Sequence, residues 1–166
     1  MLRILFIYIF VELLFVSIID YRSRKVSNWW SVVHLAIFSV ITLFLSINPW
    51  SWEGPVYASV FLAIGFALFS LNIMGAGDVK FISTLFLLIP AQFLFPFFIN
   101  MLYATILVGS TLLTFSLVKH YNGIISAIAH RDVKTAWAFF GSKFAFIPIV
   151  FMAWIALIWQ NRNQIF

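Results

Sequence analysis

Apolar runs separated by short polar breaks organise this chain from end to end. Residues 2–19, 29–47, 56–73, 97–118 and 144–159 are each almost wholly apolar, near the roughly 17–25 residues a membrane-crossing helix needs. A shorter sixth run opens at Asp78 and fades at Pro90, which either ends a helix or kinks one that continues towards Phe95. The breaks carry the usual punctuation: Asp20, Asn48-Pro49, Gly54-Pro55 and the glycines at 75 and 77. This pattern predicts an all-α polytopic membrane protein of about six transmembrane helices. Glu12 interrupts the first run and no small-residue cleavage site follows it. That run therefore reads as a retained helix rather than a removed leader.

Composition supports the membrane reading. Of 166 residues, 64% are hydrophobic and 9% charged, more apolar surface than a soluble domain of this size can bury. Residues 1–166 form one transmembrane domain in this reading. With no cysteine, disulfides, thiolate metal sites and cysteine nucleophiles are excluded. A net charge of +5 would suggest nucleic acid in a soluble protein; here its placement indicates orientation instead. Arg22, Arg24, Lys25, Lys80, Lys119, Arg131, Lys134 and Lys143 all fall on one face of a six-span topology. That face is expected to be cytoplasmic, with both termini opposite. Residues 119–142 are too polar to span, and Ile124, Ile125, Ile128, Val133, Trp137 and Phe140 recur at near-helical spacing. They read either as an amphipathic helix on the cytoplasmic leaflet or as a solvated loop.

The chemistry rests on few groups. Only Glu12, Asp20, Glu53, Asp78 and Asp132 are acidic, and an ionisable group at membrane depth is a functional-site candidate. Two spans separate Asp20 from Asp78, which returns both to one face. Glu53 lies on the other, and Asp132 has cations beside it in sequence. Two carboxyls held together share a proton, so one can activate water while the other polarises a carbonyl. Asp20 falls near a helix C-terminus and Asp78 near an N-terminus, which favours ionisation of Asp78. The competing readings are structural: Asp20 as a stop charge paired with Arg22 or Arg24, and Asp78 as a helix N-cap. Glu12 reads as a partner for a polar group inside the bundle. His34 reads as a satisfied bundle histidine, and no metal site is expected around His120 or His130. The many Phe and Trp residues are expected to be mainly lipid-facing, with Trp29, Trp30, Trp50, Trp52 and Trp159 near interfaces.

Three segments carry a family resemblance. Asp20-Tyr21-Arg22-Ser23-Arg24-Lys25-Val26-Ser27-Asn28 resembles the first-aspartate region of type IV prepilin peptidases, with Val26 and Ser27 where Ile and Pro are usual. Gly75-Ala76-Gly77-Asp78-Val79-Lys80 matches that family's GxGDxK motif, and Phe146-Ile147-Pro148 its aromatic-aliphatic-Pro segment. The resemblance implies an aspartic endopeptidase of the bacterial inner membrane. Such an enzyme removes the short basic leader of type IV prepilins or pseudopilins on the cytoplasmic side, without a cofactor. It also implies that Asp20 and Asp78 are catalytic, and the Gly75 and Gly77 backbone is a candidate rail for an extended substrate strand. Arg22 is expected to enforce topology or tune Asp20, and Lys80 to hold lipid phosphate or stabilise the pair. The cysteine-bearing methyltransferase region of larger members is missing, so the chain is similar to the short branch serving Tad or type IVB pili. Expected partners are a prepilin-like substrate with one hydrophobic segment, and lipid. The alternative is a non-catalytic polytopic subunit of pilus assembly or transport.

Overall fold

In the computed structural model, which describes residues 2–44, 52–71, 73–119, 121, 123 and 145–165, every regular element is a helix and no strand occurs among the described residues. The elements are α1 (Leu2–Ser23), α2 (Asn28–Phe44), α3 (Glu53–Ser70), α4 (Ala76–Leu88), α5 (Ala91–Lys119), α6 (Ile147–Gln160) and the short α7 (Arg162–Ile165). Helices α1, α3 and α5 are long and apolar enough to cross a membrane, whereas α2 and α6 are apolar but shorter. The segment 119–142 lies almost wholly outside the described residues.

Two boundaries differ from the sequence reading. Helix α1 runs past Asp20 to Ser23, where Arg24 takes a left-handed conformation (φ 51°). Its amide bonds back to the Asp20 carbonyl at 2.8 Å, closing the helix as a glycine commonly does. The run that fades at Pro90 ends there rather than continuing through a kink, and α5, expected from about residue 97, starts at Ala91 and contains Pro96. A proline this near a helix start deprives only the Gln92 carbonyl of its usual partner. The departure at Ser27 also has a local reason. Its hydroxyl accepts the Trp29 amide at 3.3 Å, which caps α2 where a proline would have offered only a preset φ.

Packing runs as an open series: α1 on α6, α6 on α5, α5 on α3, α3 on α4 and α4 on α2. Its centre is aromatic, a set of buried rings within a larger number of Phe and Trp side chains that stay exposed or half-buried. Phe6 stacks on Trp154 with centroids 4.8 Å apart and meets Phe93 edge-on at 5.1 Å. Phe97 touches both Trp154 and Phe86 at 5.6 Å, and Phe86 continues to Phe61 at 5.6 Å. These rings join α1, α3, α4, α5 and α6, and each such pair contributes about 0.5–1.5 kcal/mol beyond its burial. The sequence could not separate core rings from lipid-facing ones because both environments are apolar. Trp29, Trp52 and Trp159 are exposed, as expected of interfacial residues.

In lipid, helices associate through close packing and polar contacts rather than hydrophobic drive. Gly65 on α3 supplies one close contact: a Cβ there would lie 2.5 Å from Cγ1 of Val79 on α4. Asn100 and Gln160 supply another between α5 and α6, exchanging amide hydrogen bonds of 3.0 and 3.3 Å. Helix α4 is the most enclosed element; Asp78, Val79, Phe81, Ile82, Ser83, Leu85, Phe86 and Leu88 are all buried.

Candidate active site

Asp20 stands in the last turn of α1 with 1% of its surface exposed. It is not paired with Arg22 or Arg24 as a stop charge. Its carboxylate instead accepts the Ile147 amide at 3.1 Å and a backbone hydrogen bond from Phe146. Those residues begin α6, where the first amides have no partner within the helix. Pro148 follows in the first turn and has no amide of its own to satisfy. The aromatic-aliphatic-Pro segment therefore has a physical role: it presents a helix N-terminus to an aspartate 127 positions earlier in the chain.

Asp78 is the third residue of α4, not its N-cap; the N-cap is Gly75. The Asp78 carboxylate reaches back to accept the Gly75 amide at 3.3 Å, one half of a capping box. Only 6% of Asp78 is exposed, and its other oxygen has no partner among the described residues. Both aspartates thus sit at helix N-termini, Asp20 at that of α6 and Asp78 at that of α4. The dipole contrast expected from sequence is offset at Asp20, which keeps its place in the last turn of α1 while its carboxylate faces the positive end of α6.

The loop after Asp20 brings the two halves together. A Cβ on Gly77 would be driven into the Val26 carbonyl oxygen. Glycine is therefore required for the loop 24–27 to lie on the first turn of α4. Asp20 and Asp78 end within electrostatic range of each other. Of the other expected site residues, Gly75 contributes its amide to Asp78, and Gly77 its lack of a side chain. Arg22 is exposed and makes no ion pair among the described residues. Lys80 makes no ion pair among the described residues and lines an apolar groove of about 510 Å³ with Ser59, Leu62, Ala63, Phe66, Phe69, Ala76 and Val79.

Glu12 and His34 behave as expected, as bundle partners. Glu12 Oε1 lies 2.8 Å from His34 Nε2. Sequence reasoning did not find the Phe146 and Ile147 amides as site components; the one available signal was Pro148, a preferred residue in a first helical turn. No group of three His, Cys, Asp or Glu side chains gathers among the described residues in a way that would hold a metal ion. The arrangement is suited to acid–base work on a bound water, since buried carboxyls with oriented lone pairs need no covalent step to activate it.

No curated protein matches the chain, and no solved structure does. A family model does match: that of the type IV leader peptidase family aligns with residues 6–113. The matched region includes Asp20 and Asp78 with the motifs around them, and it covers well over half of the molecule. The apolar helices agree with a membrane protein and the family with a peptidase. This chain belongs to the type IV leader peptidase family.

Proposed function

We propose that this protein is an aspartic endopeptidase of the GxGD type that cleaves the basic leader from a prepilin or pseudopilin, using Asp20 and Asp78. One observation carries this reading: two buried carboxyls, from helices far apart in sequence, lie within electrostatic range of each other, and each accepts a backbone amide at a helix N-terminus. Such groups share a proton, so one takes a proton from water as the water attacks the scissile carbonyl carbon. The other, protonated, donates to the carbonyl oxygen, and the resulting tetrahedral species collapses with proton return to the leaving amine. Hydrolysis needs nothing beyond water. Gly75 and Gly77 shape the site, one through its amide and one by admitting Val26.

The membrane placement belongs to the same proposal. Six membrane segments, with α2, α4 and α6 shorter than α1, α3 and α5, put the Asp20/Asp78 end at the cytoplasmic face of the bacterial inner membrane, because the basic residues gather there. A substrate anchored by one hydrophobic segment then presents its leader at this depth.

Substituting Asp20→Asn and Asp78→Asn, each alone, tests the reading with a prepilin-like substrate in membranes, followed by the mobility shift on leader loss. Each variant is expected to lose roughly 10²–10⁴-fold in rate while still inserting into the membrane. Cleavage at the normal rate by either variant overturns the assignment and favours a non-catalytic assembly subunit.

A further inference from the structure

A second polar system lies deeper in the bundle and takes no part in the proposed reaction. Glu12 on α1 meets His34 on α2, with both side chains no more than 2% exposed. His34 Nδ1 lies 2.9 Å from the hydroxyl of Thr84 on α4. That hydroxyl is 3.0 Å from the Lys80 and Phe81 carbonyls of its own helix, to which it donates. With its proton so used, Thr84 accepts from His34 Nδ1–H. An unbroken hydrogen-bonded chain thus runs α1–α2–α4.

The helices it ties are the two that carry the aspartates, and α1 and α4 are not broadly packed on each other. Glu12 is eight residues before Asp20 and Thr84 six after Asp78, placing the chain about 9–12 Å from the carboxyl pair along the helix axes at 1.5 Å per residue. Nearer the pair, the Gly77–Val26 contact joins the same helices through the loop. The separation of Asp20 from Asp78 therefore has two supports, one beside the site and one within the bundle. Only the inner one depends on side-chain chemistry.

We infer that Glu12, His34 and Thr84 are positioning residues: a strut that sets the spacing and orientation of Asp20 relative to Asp78. What the strut requires is hydrogen-bond geometry rather than charge, so Glu12→Gln, whose amide N–H can donate to the Nε2 that the Nδ1–H tautomer leaves as an acceptor, supports it and Glu12→Leu does not. Thr84→Ser keeps it and Thr84→Val breaks it. Its catalytic consequence rests on the peptidase reading above; its structural consequence does not.

The natural absence of cysteine permits the decisive measurement. Spin labels on Tyr21→Cys and Ala76→Cys, beside the two aspartates, report the α1–α4 distance by pulsed electron resonance in lipid nanodiscs. In Glu12→Leu, His34→Leu and Thr84→Val the distribution should shift or broaden; in Glu12→Gln and Thr84→Ser it should match the parent. In unlabelled protein, the first group should lose about tenfold to a hundredfold in kcat, the scale of an ångström-sized misplacement, with KM unchanged. The second group should keep kcat. An unchanged distance in Thr84→Val, the mildest break and the one least able to unfold the protein, overturns the strut. So does a Glu12→Gln variant as impaired as Glu12→Leu, which would show that charge and not geometry matters. Should Asp20→Asn remain active, the peptidase reading fails while the distance result still decides the strut.

Discussion

Helix α4 and the distal half of α5 are both apolar, and they live in opposite surroundings. Helix α4 has 13 residues, too few to qualify as a span by length, yet eight are buried and one is Asp78. Helix α5 has 29 residues, about 43 Å at 1.5 Å per residue, yet none of residues 102–119 is buried. Greasiness thus separates membrane from water but not protein interior from lipid. Position in the packing series makes that second distinction: α4 is gripped by α2 and α3, while the far half of α5 buries no residue.

The contrast predicts unequal responses to the same truncation. Phe86 on α4 is fully buried and touches rings of α3 and α5, whereas Ile106 on α5 is 67% exposed. Phe86→Ala should cost about 3–5 kcal/mol, the range for emptying a packed aromatic site. Ile106→Ala should stay within about 0.5 kcal/mol, as surface changes do. Reversible unfolding in bicelles measures both, and equal losses would erase the distinction between the two helices.

Glycines sharpen it further. Gly77 and Gly109 each lie in a helix, but a Cβ at Gly77 meets the Val26 carbonyl while one at Gly109 meets nothing within 4 Å. Gly77→Ala should destabilise by about 1–3 kcal/mol, as overpacking does, and should lower leader cleavage further because the displaced loop carries Asp20's end of α1. Gly109→Ala should gain up to about 1 kcal/mol from helix propensity and leave cleavage unchanged. Gly65→Ala belongs with the first of these. It presses a new methyl on the stiff Val79 side chain, and a loss of about 1–3 kcal/mol is expected in the same unfolding assay.

How much of this was legible beforehand follows from where each signal resides. The helices were legible because apolar length is a local property, and the two aspartates because each closes or opens a run beside charge or glycine. Glu12 and His34 were legible as bundle partners because neither has a polar role facing lipid. The grip of Phe146 and Ile147 on Asp20 was not, since it joins two helix ends 127 residues apart. Nor were the aromatic core and the Gly65–Val79 contact. Those depend on which side of a uniformly apolar helix meets protein, and helix α1, with buried Phe6 and Ile9 beside exposed Ile4 and Ile7, shows how little the side-chain type reveals.

The smallest expected effect lies in the loop that the aspartate-bearing half has and the lipid-facing half lacks. Arg24 holds φ 51°, a conformation that costs a non-glycine residue about 1–2 kcal/mol. Arg24→Gly removes that cost but gives the unfolded chain more freedom, worth about 0.4–1 kcal/mol against the fold. The two partly cancel, so stability should rise by about 0–1.6 kcal/mol. Activity is the finer probe. If the left-handed turn is needed only to aim Val26 at Gly77, glycine adopts it freely and leader cleavage should be retained. Arg24→Val offers the opposite test, because a branched Cβ resists positive φ. It should lower stability and cleavage together. Cleavage lost in Arg24→Gly, with stability intact, would instead show that the guanidinium itself serves the site.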